Sequence, residues 1–203
     1  SESVRENRSK GDVGVYQLLK TKNNGLKAQV IDFAQELIRT PSTSLEEGDV
    51  ADKVERKMKE IGFDRVFRDG AGNVVGILFG RESDPTVLLC SHMDCVSSGP
   101  EEKWHDPPYS GKIDEDMLYG RGASDCKSGL AAQVFAGALL KRSLLPLRGT
   151  LVVAATTAEE NGLSVGVRTL LEETLPELGL EPDFAILGEP TELGLYHGHD
   201  GWL

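Results

Sequence analysis

One imidazole and four carboxylates fall where strand-like runs stop, and a fifth carboxylate lies ahead of a helix-like run. Thr86 to Cys90 is a short apolar run that leads straight into Ser91-His92-Met93-Asp94. Leu151 to Ala155 leads into Thr156-Thr157-Ala158-Glu159-Glu160, and Phe184 to Leu187 leads into Gly188-Glu189-Pro190. Asp125 lies within Gly120-Arg121-Gly122-Ala123-Ser124-Asp125-Cys126-Lys127, ahead of an Ala/Leu-rich segment. In open parallel sheets the binding site lies outside the carboxyl ends of the strands, where side chains remote in sequence meet. The glycines allow the backbone to approach such a site closely. Carboxylates gathered in this way repel one another, and a divalent cation neutralises them. Imidazole with carboxylates, and no cysteine obliged to join, suits Zn2+, with Co2+ or Mn2+ also compatible. With two ions, one carboxylate would bridge them and a water would sit between.

Taken singly, none of these signals is specific. A His-x-Asp pair is usually not a metal site, and Glu-Glu is common on solvated faces. Cys90 and Cys126 read as small buried hydrophobes, Cys95 sits beside the cluster, and His105 reads as a loop residue. Position at strand ends lifts the set above these bland alternatives. Gly120-Arg121-Gly122 lacks the spacing of a dinucleotide-binding turn. No G-x-S-x-G elbow occurs, so a serine hydrolase is a poor reading.

The elements that must hold these residues follow from periodicity. Leu26, Val30, Phe33 and Leu37 recur at helical spacing, ended by Pro41. Val50, Val54, Met58 and Ile61 share a second helical face that stops at Gly62. Val66-Phe67 and Val74 to Phe79 read as strands about the Gly-rich turn Asp69 to Asn73. The polar stretch 97–118 reads as an ordered loop, Ser128 to Leu140 as a helix, and Val165 to Leu175 as another. Before Gly25, Val13, Val15, Leu18 and Leu19 suggest a short helix docked on the body. The second half alternates strand and helix, which predicts an α/β fold with a mostly parallel sheet and helices on both faces.

Composition narrows the partners. The chain has 203 residues, 22 Lys+Arg and 33 Asp+Glu, so its formal charge is 22 − 33 = −11. Such a balance, with no basic stripe, argues against nucleic acid. A hydrophobic fraction of 39 % supports a folded core rather than disorder. No run of 18 apolar residues spans a membrane, and the opening residues have no signal-peptide character. Three cysteines without a C-x-x-C spacing point to a reducing cytoplasm rather than a disulfide scaffold.

Read in order, Ser91-His92-Met93-Asp94, Trp104 with Pro107 to Gly111, Leu118 to Lys127, Ala158-Glu159-Glu160 and Gly188-Glu189-Pro190-Thr191 resemble the M20 metallopeptidases. That family includes acetylornithine deacetylase, succinyl-diaminopimelate desuccinylase, carboxypeptidase G2 and the aminoacylases. The resemblance covers roughly residues 26 to 202. It implies a zinc-peptidase-like catalytic domain in which His92 ligates one metal together with Glu189. Asp125 would bridge two ions, and Glu160 would ligate the second. Asp94 would hydrogen-bond His92, and Glu159 would be the general base. The implied activity is metal-dependent hydrolysis of the amide in N-acyl amino acids or small peptides, and the full-length relatives form homodimers through a lid domain.

Several positions depart from the family pattern. Ser128 stands where glycine is common, and Cys126 where methionine is frequent. Asp200 replaces arginine in Gly198-His199-Asp200-Gly201-Trp202. The family pattern continues with a lid domain and a returning segment that supplies a late metal-binding histidine. The expectation is therefore that residues 1–24 are an N-terminal segment and 25–203 the N-terminal portion of an incomplete catalytic domain, inactive alone. His197 and His199 match the family's exit strand rather than the late ligand. The competing reading is a non-catalytic structural or interaction module that keeps the fold.

Overall fold

Five strands form one mixed sheet whose order explains how distant residues meet. In the computed structural model, residues 2–196 and 198 are described, with side chains from residue 13 onward. The strands are β1 (Arg65–Arg68), β2 (Val74–Leu78), β3 (Thr86–His92), β6 (Thr150–Thr156) and β7 (Phe184–Leu187). Their spatial order is β1-β2-β6-β3-β7. Strands β3, β6 and β7 run parallel, as the sequence suggests for the strands that end at the polar cluster. The hairpin of β1 and β2 adds two antiparallel pairings, so the sheet as a whole is mixed.

All seven residues of β6 are buried, because helices cover both faces of the central strands. On one face lie α2 (Lys27–Ile38), α3 (Gly48–Ile61) and α4 (Ser128–Ser143), with Phe33, Leu37, Val54, Met58, Leu130 and Val134 against Leu89, Leu151 and Val153. On the other lie α5 (Val165–Thr169), a wider turn Leu170–Thr174 and α6 (Leu175–Glu177), which continue one another. Here Leu170 and Leu175 pack on Val75, Ile77, Leu88 and Val152. Alternate residues of β6 thus feed opposite cores, as the period-two geometry of a strand requires. The stop of α3 is as read from sequence: Gly62 takes φ +88° and donates its N–H to Met58 and Lys59.

Two expectations are corrected. The N-terminal helix α1 is long, Glu2–Asn24, rather than short; it meets the body at α4, with Leu19 partly buried and Val13, Val15 and Leu18 exposed. Val15, Leu18 and Leu19 follow the i, i+3, i+4 spacing of one helical face, and Val13 lies off it. The stretch 97–118 is not all loop. It holds a 3-10 turn, Glu101–Lys103, and the start of a small hairpin of β4 (Lys112–Asp114) and β5 (Met117–Tyr119). Its turn residues, Glu115 and Asp116, both have positive φ, which gives the twist a tight hairpin needs without the usual Asn-Gly signature. Among the described residues no helix is long and apolar enough to cross a membrane. His197, His199 and Asp200 lie outside the described residues.

Candidate metal centre

Register brings the cluster together. His92 pairs with Thr156 across β3 and β6, and Cys90 pairs with Leu187 across β3 and β7. The chains leaving these strands therefore emerge side by side, carrying Asp94, Glu159 with Glu160, and Glu189. Asp125 arrives from the irregular segment Ala123–Lys127 at the start of α4, reached through Gly122 at φ +78°. Close approach of the last segment depends on two glycines. A Cβ on Gly129 would lie 2.2 Å from the carbonyl oxygen of Gly188, and one on Gly188 would lie 2.1 Å from Ser91 Oγ.

Ligand atoms of His92, Asp125, Cys126 and Glu189 all lie within 4.8 Å of one another, and so do those of His92, Glu159 and Glu160. His92 Nε2 is 2.9 Å from Asp125 Oδ1, 3.8 Å from Glu159 Oε2 and 3.9 Å from Glu189 Oε1. Of the set assigned from the resemblance to the first ion, His92, Asp125 and Glu189 meet directly. Glu160 shares a group with Glu159 and His92, and after burial Asp125 has the largest effect on the Glu160 carboxyl.

Asp94 lies behind the imidazole, wholly buried. His92 Nδ1 donates to the Asp94 carbonyl at 2.8 Å, with the Asp94 carboxylate at 3.3 Å. That carboxylate also accepts from Ser44 Oγ at 2.6 Å, from the Glu159 N–H at 3.1 Å and from the Glu160 N–H at 3.0 Å. Burial disfavours its charge, but His92, Ser44 and the two backbone donors outweigh burial and hold its pKa down to about 2. Burial likewise opposes an imidazolium at His92, yet hydrogen bonds to Asp125 and Asp94 prevail and raise its pKa. Both ring nitrogens then face acceptors, which only the doubly protonated ring can satisfy as a donor.

The remaining carboxylates fit a cation. Glu160 and Glu189 have raised pKa values, first from burial and then from neighbouring carboxylates, offset in part by His92. A donor set of one imidazole and crowded oxygens, partly open to solvent, is chemically suited to a divalent metal. Cys126 is fully buried, its thiol donates to the His92 carbonyl at 3.5 Å, and burial raises its pKa, so it behaves as the small buried residue expected. His105 is an exposed loop residue beside Asp106.

Sequence reasoning missed four polar residues that support the site. Ser44 and Glu47 come from the loop between α2 and α3. Lys127 is fully buried, donates Nζ to the Thr40 carbonyl at 2.7 Å, and has its pKa pulled down to about 8 by burial. Asn73 accepts from the Thr157 N–H at 3.0 Å and donates to the Gly166 carbonyl at 2.8 Å, fixing the base of the turn that carries Glu159. The only signal for these is a polar residue at a position that folding buries, which a single sequence does not mark.

Comparison with known proteins agrees with this geometry. A model of the family described as peptidase family M20/M25/M40 matches residues 88–198, more than half of the chain. The uncharacterized protein YgeY of Escherichia coli K12 is 30% identical over 186 residues, covering 92% of this chain and 45% of that protein. The chain thus spans about half the length of the curated relatives it matches. Among solved structures, the di-peptidase Dug1p of Saccharomyces cerevisiae superposes with a TM-score of 0.71 at 19% identity, over 84% of this chain and 40% of that one. The M20 family metallo-carboxypeptidase Sso-CP2 of Sulfolobus solfataricus does so at 0.67 and 24%, over 78% and 37%. At these identities the likeness establishes a shared fold.

Proposed function

Because the chain belongs to peptidase family M20/M25/M40, we propose that it supplies the metal-holding and proton-transfer residues of a hydrolase. The bond cleaved is the amide of an N-acyl amino acid or small peptide. The observation that carries this reading is the convergence of His92, Asp125 and Glu189 within 4.8 Å, beside Glu159 and Glu160. His92, Asp125 and Glu189 would hold one ion, with Asp125 and Glu160 serving a second. A divalent ion in such a set supplies Lewis acidity, making water a better nucleophile and polarising a carbonyl oxygen.

The chain's own residues do the rest. Asp94 fixes the orientation of His92 through Nδ1, so that Nε2 points into the carboxylate cluster. The proton shared between Nε2 and Asp125 must leave when a cation takes those ligands. The Glu159 side chain is half exposed with its carboxylate 3.8 Å from Nε2, so it faces the cluster and solvent together. That placement suits a group that takes a proton from water and returns it to the departing amine. Glu159 and Glu160 can take different roles because successive side chains point different ways, with their backbone N–H groups held by different oxygens of Asp94.

Two measurements test the reading. Calorimetric titration with Zn2+, Co2+ or Mn2+ should detect binding that His92→Ala abolishes, and equal binding by both chains would refute the site. In a chain of the relatives' full length, Glu159→Gln should retain metal while hydrolysis of N-acetyl amino acids or dipeptides falls about 10²–10⁴-fold. Unchanged turnover would remove Glu159 from the chemistry.

A further inference from the structure

The loop between α2 and α3 crosses beneath the site and touches three of the segments that build it. Ser42 Oγ donates to the Met93 carbonyl at 2.8 Å, and the Cys95 N–H donates to the Ser42 carbonyl at 2.8 Å. Ser44 donates to Asp94, and Lys127 donates to the Thr40 carbonyl. Glu47 is 5 % exposed, and its Oε1 accepts from its own loop at the Leu45 N–H, 3.0 Å, and from the Ala158 N–H, 2.9 Å.

Three successive backbone N–H groups therefore end on buried carboxyl oxygens. Ala158 donates to Glu47, Glu159 to Asp94 Oδ1 and Glu160 to Asp94 Oδ2. Ala158 has φ +53°, a left-handed conformation that a residue with a Cβ adopts only when its surroundings enforce it. The hydrogen bonds to Glu47 and Asp94 supply that enforcement, and the loop supplies one carboxyl directly and steadies the other through Ser44.

We infer that Glu47 and Ser44 are positioning residues for the turn bearing Glu159 and Glu160: Glu47 acts through the Ala158 N–H, and Ser44 acts through Asp94. Neither side chain is among the groups that would touch metal or substrate. Their effect is to aim the two glutamates. The functional consequence rests on the reading above that those glutamates serve the metal site, whereas the positioning itself does not.

The test compares amide hydrogen exchange in the apo chain with Co2+ affinity. In Glu47→Ala, exchange at Ala158, Glu159 and Glu160 should accelerate about tenfold or more relative to the β6 amides Leu151 to Ala155. Co2+ binding should weaken about 10–100-fold. Glu47→Gln keeps an oxygen acceptor and should restore both, which a general loss of stability would not do. If Glu47→Ala does not fold, Ser44→Ala decides: exchange at Glu159 and Glu160 should accelerate while Ala158 stays protected. Unchanged exchange at these amides in the folded variants overturns the inference. A wild-type chain that binds no Co2+ counts against the metal reading alone, because the exchange comparison is made without metal.

Discussion

Asp94→Asn is the sharpest probe of how the centre is held. The native carboxylate accepts three hydrogen bonds, from the Glu159 N–H on Oδ1 and from Ser44 Oγ and the Glu160 N–H on Oδ2, and His92 Nδ1 lies 3.3 Å from Oδ1. Asparagine offers one oxygen and one NH2 in the same shape. The less damaging orientation puts NH2 where Oδ2 was, because the Ser44 hydroxyl can rotate and become the acceptor. The Glu160 N–H then points at a donor and is orphaned, at a cost of about 1–3 kcal/mol. The bonds that survive lose their charge assistance, roughly another 1 kcal/mol. The expected loss is therefore about 2–4 kcal/mol, or roughly 5–15 °C in melting temperature for a chain of this size. Denaturant unfolding at neutral pH measures the first quantity and thermal melting the second. Co2+ affinity should fall about 10–100-fold in parallel, since the imidazole and the glutamate turn both lose their anchor. A variant within about 1 kcal/mol of wild type, with unchanged Co2+ binding, would show that an ionised Asp94 does not organise the centre.

Gly129→Ala tests the close approach of α4 to the Glu189 segment. With its Cβ 2.2 Å from the Gly188 carbonyl, something must move, and overpacking of this kind costs about 1–3 kcal/mol; a shift of Gly188 should also weaken metal binding, and a neutral result in both assays would contradict the packing. Asp64 tests the pH behaviour of a peripheral contact. Partial burial raises its pKa, but the Lys141 ammonium at 2.6 Å and the Phe79 N–H at 2.9 Å outweigh it and the pKa falls. A carboxylate lowered on folding stabilises above its unfolded pKa, near about 3.9, and loses that contribution as pH drops through its folded value. Since the pair is partly exposed, the effect is at most about 1 kcal/mol. Asp64→Asn should be less stable than wild type at pH 7 and equal to it once the pH lies below the folded value; a difference that persists into acid would rule out the ionic origin.

What could be read in the sequence and what could not divides along a physical line. His92, Glu159 and Glu189 were legible because each follows an apolar run, and parallel register then forces the run ends together regardless of loop detail. Leu37, Val54 and Met58 were legible because a helical period records which face is buried. The hairpin of β4 and β5 was not, since three residues a side carry almost no period and its positive-φ turn uses Glu115 and Asp116 rather than glycine. The length of α1 escaped because residues 2–12 hold a single apolar residue, Val4, and so carry no period. Ser44 and Glu47 were the least visible. Their partners are the Asp94 carboxylate, 50 residues from Ser44, and the Ala158 N–H, 111 residues from Glu47, and such contacts depend on three-dimensional register, which leaves no local pattern. The proposed ligands are thus marked by strand ends, while the residues inferred to aim them sit in an ordinary-looking polar loop. The two classes should respond differently to substitution: loss of a ligand such as His92 removes binding, whereas loss of Glu47 leaves every ligand present and changes only how steadily the glutamates are held.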